Sequence, residues 1–306
     1  MMAMDAGALL LLASLAIAAA PAAAASPQTP ERSGTSAAAP AVTAAPQPAR
    51  WALGVEYRRD RFDYRFNNPS SFNTAELVPH VFEQRYDADN IWFTGRVRFM
   101  LGHRALETEG GITATAIGVG SDYDTFYQPD GNVIVYGTTA DTDAWSWRAA
   151  QYVGLGSWRG IVFRAGYSYH RDHADFRPSD TTIVQTKPPS STAFWNTDRE
   201  STISEVHEIR LGLERTFAHG PSWRARLTAD VAPTTLARLT TILPDKYPDP
   251  VVFIAKGLSI NAALHVARQI GRWHAGATLS YAQAWSYQES SAYHRKALSG
   301  GVVIGR

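Results

Sequence analysis

The chain has 306 residues, 45% of them hydrophobic and 11% aromatic, with no cysteine and a formal net charge of +1. The missing cysteine excludes disulfides, thiolate chemistry and lipid attachment through a leader cysteine. The balance of 29 basic against 28 acidic residues, with no basic block, argues against a nucleic-acid partner.

The first feature along the chain is Ala6–Ala20, AGALLLLASLAIAAA, an apolar run with a small-residue flank. It is shorter than the roughly 20 residues a spanning helix needs. An A-x-A site at Ala23–Ala25 marks residues 1–25 as a signal peptide, although the leader carries no Lys or Arg. Residues 26–50 are rich in Pro, Ala, Ser and Thr and lack apolar periodicity, which predicts a disordered linker. Residues 51–306 are then the folded domain.

In that domain the hydrophobic period is two. Leu258, Ile260, Ala262, Leu264 and Val266 alternate with Ser259, Asn261, Ala263, His265 and Ala267. Ten such segments are predicted, at 51–60, 90–101, 105–119, 142–155, 158–171, 203–217, 222–238, 256–269, 272–287 and 292–305. The gaps alternate. Long ones fall at 61–89, 120–141, 172–202 and 239–255. Tight ones fall at Gly102–Arg104, Gly156–Ser157, Ala218–Pro221 and Ile270–Gly271, and a short outer loop at 288–291 closes the series. An even strand count with alternating tight and long connections is the signature of an outer-membrane barrel.

The expected fold is therefore all-β: a ten-stranded antiparallel up-and-down transmembrane β-barrel with long outer loops and short periplasmic turns, in a bacterial outer membrane. Trp51, Tyr57, Trp145, Trp147, Tyr167, Tyr169, Trp223, Trp273 and Tyr281 fall near strand ends, where interfacial girdles form. Glu56, Arg58, Arg96, Arg98, Glu107, Glu109, Arg148, Arg164, Arg210, Glu214, Arg224, Arg226 and Asp230 fall on the opposite face, which suits a polar lumen. A soluble β-sandwich also alternates, but these segments exceed the roughly 5–6 residues usual in globular strands. A barrel of this size is filled by side chains, so a general porin is disfavoured.

The segment most suggestive of chemistry is Gly118–Asn132, GVGSDYDTFYQPDGN. Asp122 and Asp124, at i and i+2, point to one side of a strand, and Pro129–Asn132 has turn composition. The expectation places the pair at the top of the third strand, where the second outer loop begins. The two acids are either a general-base pair holding a water or ordinary loop acids.

In order and spacing, Asp122-Tyr123-Asp124, Pro129, Asp141-Thr142, Ala165–Tyr167 and Arg171 resemble the second loop and fifth strand of the omptin family of outer-membrane proteases. Arg65–Asn68 and Gln84–Tyr86 resemble it more loosely. The resemblance implies that Asp122 and Asp124 position an attacking water, opposite an Asp–His pair supplied by the fourth loop. The corresponding Ala237–Val251, ARLTTILPDKYPDPV, holds Asp245 and Asp249 but no histidine. Among substitutes His170 has lumen-facing parity, while His207 shares the parity of Ile209 and Leu211. The family also binds lipopolysaccharide on the barrel exterior, and Tyr167 and Arg171 match part of that pattern. Their alternative role is as girdle and rim residues. His170 and His173 make a metal-like cluster by composition, but spacing supplies no third ligand, so no metal and no cofactor is expected.

Three functions are open, the first two from the resemblance and the third from a different class. One is an omptin-like barrel that keeps the fold and the aspartate pair but lacks a recognisable base. Another is an active omptin-type endopeptidase acting on exposed polypeptides at the cell surface. The last is a structural or adhesive barrel that binds lipopolysaccharide or a partner.

Overall fold

The computed structural model describes residues 50–67, 78–102, 104–177, 179–196, 200–220, 222–242, 249–286 and 291–306. The expected signal peptide, and the expected linker apart from Arg50, lie outside these residues. The described chain forms β1(Trp51–Asn67), β2(His80–Leu101), β3(Arg104–Tyr127), β4(Val133–Trp158), β5(Ile161–Phe176), β6(Ser179–Thr186), β7(Pro189–Asn196), β8(Glu200–His219), β9(Trp223–Ile242), β10(Val251–Ile270), β11(Trp273–Ser286) and β12(Ser291–Gly305).

Ten of these strands close a ring in the order β1-β2-β3-β4-β5-β8-β9-β10-β11-β12, all pairs antiparallel; β6 and β7 form a hairpin that extends the sheet from upper β4. Closure is made by β1 against β12, from Ala52↔Gly305 to Phe66↔Ser291. The ring is also staggered. Gly118 on β3 pairs directly with Thr142 on β4, but partners followed the other way round the ring, through Ala88, Asp60, Ala297, Ala282, Asn261, Asp230, Gly212 and Arg164, return to Gly154. The offset of twelve residues between Thr142 and Gly154 is the shear that goes with strands tilted by roughly 35–45°.

Alternation places the apolar side chains outside. Leu53, Phe93, Val97, Leu211, Leu279 and Val302 are all exposed, whereas Glu56, Arg58, Glu107, Arg164, Glu214 and Asp230 are buried in the lumen. In water this would be inside out. In a bilayer it satisfies every ladder hydrogen bond internally and gives lipid an apolar surface. On β1 the outward row runs Leu53, Val55, Tyr57 and then turns charged at Arg59, which pairs in register with Asp89 on β2. That change of chemistry marks the upper edge of the apolar belt.

The long gaps need correction. β1 and β2 fill most of 61–89, β3 and β4 run through 120–141 to a turn at Gln128–Asn132, β6 and β7 occupy most of 172–202, and β9 and β10 take both ends of 239–255. Period-two patterning weakens above the belt because both wall faces are polar or mixed there, so alternation alone stops too early. Arg65–Asn67 and Gln84–Tyr86 are accordingly strand residues. The turn expected at Gly156–Ser157 falls instead at Arg159–Gly160, with φ of 51° and 79°, the conformation a two-residue hairpin requires.

Candidate functional site

The upper chamber is built by the extended parts of β1–β4. Asp122 lies opposite Gln84 on β2 and Thr138 on β4, and Asp124 lies opposite Phe82 and Tyr136. Both acids face inward, as their spacing dictates, but they are inside a strand rather than at the start of a loop. They are also only 3% and 4% exposed, so they do not line an open mouth.

A histidine does meet them, and it is one the sequence reading passed over. His80, at the start of β2, has its Nε2 2.7 Å from Asp124 Oδ1. Its ring stacks on Phe126 at 4.5 Å and meets Phe66 edge-on at 6.4 Å. The signal was available: His80, Phe82, Gln84, Tyr86 and Ala88 continue the lumen parity of Arg98, Arg96 and Thr94 without a break in β2. Reading 61–89 as a loop concealed it.

Beside the acids and below them the chamber is packed with rings. Phe62 stacks on Tyr86 at 4.9 Å and meets Tyr293 at 5.4 Å, while Phe66 stacks on Phe253 at 3.6 Å. Tyr64 Oη is 2.6 Å from Thr241 Oγ1 and 3.3 Å from Thr202 Oγ1, and Thr202 donates to Gln84 at 2.7 Å. Burial pushes the Tyr64 phenol well above its ordinary value despite these hydrogen bonds, so it remains a neutral packing group. A general base needs a path to water and substrate. His80, with its side chain 2% exposed, has none in this arrangement, and neither acid has one.

His170 faces the lumen, as its parity predicts, but belongs to a different cluster. Its Nε2 is 2.9 Å from Asp172 Oδ1, and Arg295 joins Asp172 at 2.7 Å to Asp60 at 3.0 Å. Its strand partners are Arg148 and Val206, and Arg148 is ten residues along β4 from Thr138, the partner of Asp122. His173 points outward against Trp145, whose Nε1 donates to its Nδ1 at 2.7 Å. The two histidines therefore cannot share a metal. Asp245 lies outside the described residues, and Asp249 is exposed.

Tyr167 and Arg171 both face outward on β5 at the upper edge of the belt. Tyr167 Oη is 2.6 Å from His207 Nδ1, Tyr169 donates to Glu205 at 3.0 Å, and Arg171 lies 3.8 Å from Glu205 and over the Trp145 ring at 5.9 Å. Arg238 on β9 approaches Glu205 at 3.9 Å. His207 is outward as well, in line with its lipid-facing parity.

A closed ring with an apolar exterior and a charged, filled interior defines a transmembrane β-barrel of the outer-membrane type. Among solved structures the chain is similar to the outer membrane protease OmpT of Escherichia coli, with a TM-score of 0.64 at 8% identity, covering 83% of this chain and 95% of that one. It also matches the translocator domain of the autotransporter NalP from Neisseria meningitidis, with a TM-score of 0.32 at 11% identity over 82% and 87% of the two chains. No protein-family model and no curated protein matches the chain. At 8% identity the likeness to OmpT is one of fold.

Proposed function

We propose that the chain is an omptin-like barrel of the bacterial outer membrane, exported by its signal peptide, which keeps the aspartate pair of β3 in a closed chamber and uses its outer rim to hold lipopolysaccharide. The observation that carries this reading is the contrast between two places. The acids are 3% and 4% exposed behind a ring of aromatics, while the rim offers Arg171 with its side chain 36% exposed above the apolar belt. A guanidinium just above a lipid-facing surface suits a headgroup phosphate, and Tyr167 beneath it suits the acyl boundary. Glu205 lies 3.8 Å from Arg171 and 3.9 Å from Arg238.

Arg171→Gln should weaken binding of purified lipopolysaccharide to the refolded protein about threefold to tenfold. Added salt should narrow the difference between the variant and the wild type. Equal binding by variant and wild type at low salt would remove the rim from the account.

One observation favours a second reading, an active omptin-type endopeptidase. The 2.7 Å contact between His80 and Asp124 is the geometry of a carboxylate-oriented imidazole, with Asp122 two residues away on the same face. In that reading β2, not the fourth loop, supplies the base, and the upper chamber must open to admit a polypeptide.

A further inference from the structure

The lumen below the aromatic plug contains a cavity of about 80 Å³, lined in part by Arg58, Arg148, Arg210, Tyr293 and Arg295. Most of its charges are matched. Arg58 donates to Asp60 at 2.8 Å, Arg295 spans Asp60 and Asp172, and Arg210 donates through Nε to Glu208 at 2.8 Å. Glu109, which also lines the cavity, lies 3.9 Å from Arg164.

Arg148 is the exception. Among the described residues it has no carboxylate partner and no side-chain hydrogen bond; it lies over the face of Trp92 at 5.5 Å, a ring that Arg58 already covers at 4.8 Å, and the like charge of Arg58 repels it. Arg148 is half-buried, and a cation–π contact, which contributes about 0.5–2 kcal/mol, leaves its N–H donors without an acceptor. A second, independent donor lines the same space. Tyr293 is 3% exposed, and its O–H donates to no described residue: Arg295 meets the hydroxyl only as a donor. Its arginine neighbour Arg295 cannot accept a hydrogen bond.

We propose that this cavity is a binding site for a small inorganic oxyanion of the phosphate or sulfate class, held by the Arg148 guanidinium and the Tyr293 hydroxyl. At roughly 10–15 Å³ for each water-sized probe position, the cavity has room for a group of that size. A planar guanidinium fork matches two oxygens of one anion, and a phenol hydroxyl completes the set. A bound oxyanion would neutralise the one lining arginine whose charge is unmatched, and would tie β4 to β12 across the lumen.

The test is the thermal unfolding midpoint of the refolded full-length protein against inorganic phosphate, at ionic strength held constant with a chloride salt. The wild-type midpoint should rise saturably with phosphate. Arg148→Gln should need about ten- to hundredfold more phosphate for the same rise, while its phosphate-free midpoint equals or exceeds that of the wild type because an unmatched charge is gone. Tyr293→Phe keeps every charge and nearly every atom, and should still need several-fold more phosphate. A wild-type midpoint that follows ionic strength alone, or variants that respond to phosphate as the wild type does, would overturn the proposal.

Discussion

Arg164→Met is expected to destabilise the barrel by about 3–5 kcal/mol, the cost of leaving a buried carboxylate without its partner. Arg164 on β5 donates through Nε to Asp230 Oδ1 at 2.9 Å and through Nη2 to Asp230 Oδ2 at 2.5 Å. The Asp230 side chain is 0% exposed, so water cannot replace the guanidinium. Gly212 lies directly across from it on β8 and leaves the room its carboxylate occupies; a Cβ there would collide with Asp230 Oδ1. The double variant Arg164→Met, Asp230→Leu should recover most of the loss, since exchanging a buried ion pair for apolar groups of similar volume is often neutral. Urea unfolding of the two variants and the wild type in lipid vesicles checks both statements. A loss under about 1 kcal/mol for the single variant would mean that Asp230 is solvated.

Phe62→Ala is expected to cost about 3–5 kcal/mol and to open the lumen as well. Phe62 is 1% exposed and contacts Tyr64, Tyr86 and Tyr293 with ring centroids 4.9–5.5 Å apart, which makes it the centre of the aromatic layer between the upper chamber and the charged lumen. Removing a ring from a close-packed layer leaves a void that stiff strands cannot close. In planar bilayers the wild type should stay close to baseline conductance, and the variant should show clear ion steps. A wild type that already conducts freely would show that the layer is not a seal.

The barrel was legible in the sequence because the lipid and lumen faces differ so strongly within the belt. Leu258 to Val266 and Trp223 to Val231 each write that difference in every second residue, and all thirteen charges assigned to the lumen face inward in the structure. The ring of ten strands and three of the four tight turns followed from it. Above the belt the rule fails for a physical reason. Once the exterior is wet, Arg59, Arg61, Asp63 and Arg65 stand outside while Phe62, Tyr64 and Phe66 pack inside, which inverts the polarity of the two faces. A pattern matched to lipid outside and charge inside reads such a segment as loop.

The candidate site was half legible for the same reason. The spacing of Asp122 and Asp124 fixed their common face, but their burial depends on rings contributed by β1, β2, β10 and β12, which no local pattern reveals. His80 lay in the segment read as loop, while His170 satisfied the parity yet belongs to the Asp172–Arg295 cluster. The outward Tyr167 and Arg171 were legible because the exterior of β5 is still at the belt edge there.

On the proposed function the aspartate pair sits inside a closed chamber and does not turn over polypeptide. The direct measurement is cleavage of a fluorogenic peptide with a dibasic site by protein reconstituted with lipopolysaccharide, comparing the wild type with the Asp122→Asn, Asp124→Asn double variant. Both should show the same background rate. Wild-type turnover about 10²-fold or more above the double variant, the size of effect a positioned base supplies, would contradict it and establish the chamber as an active site.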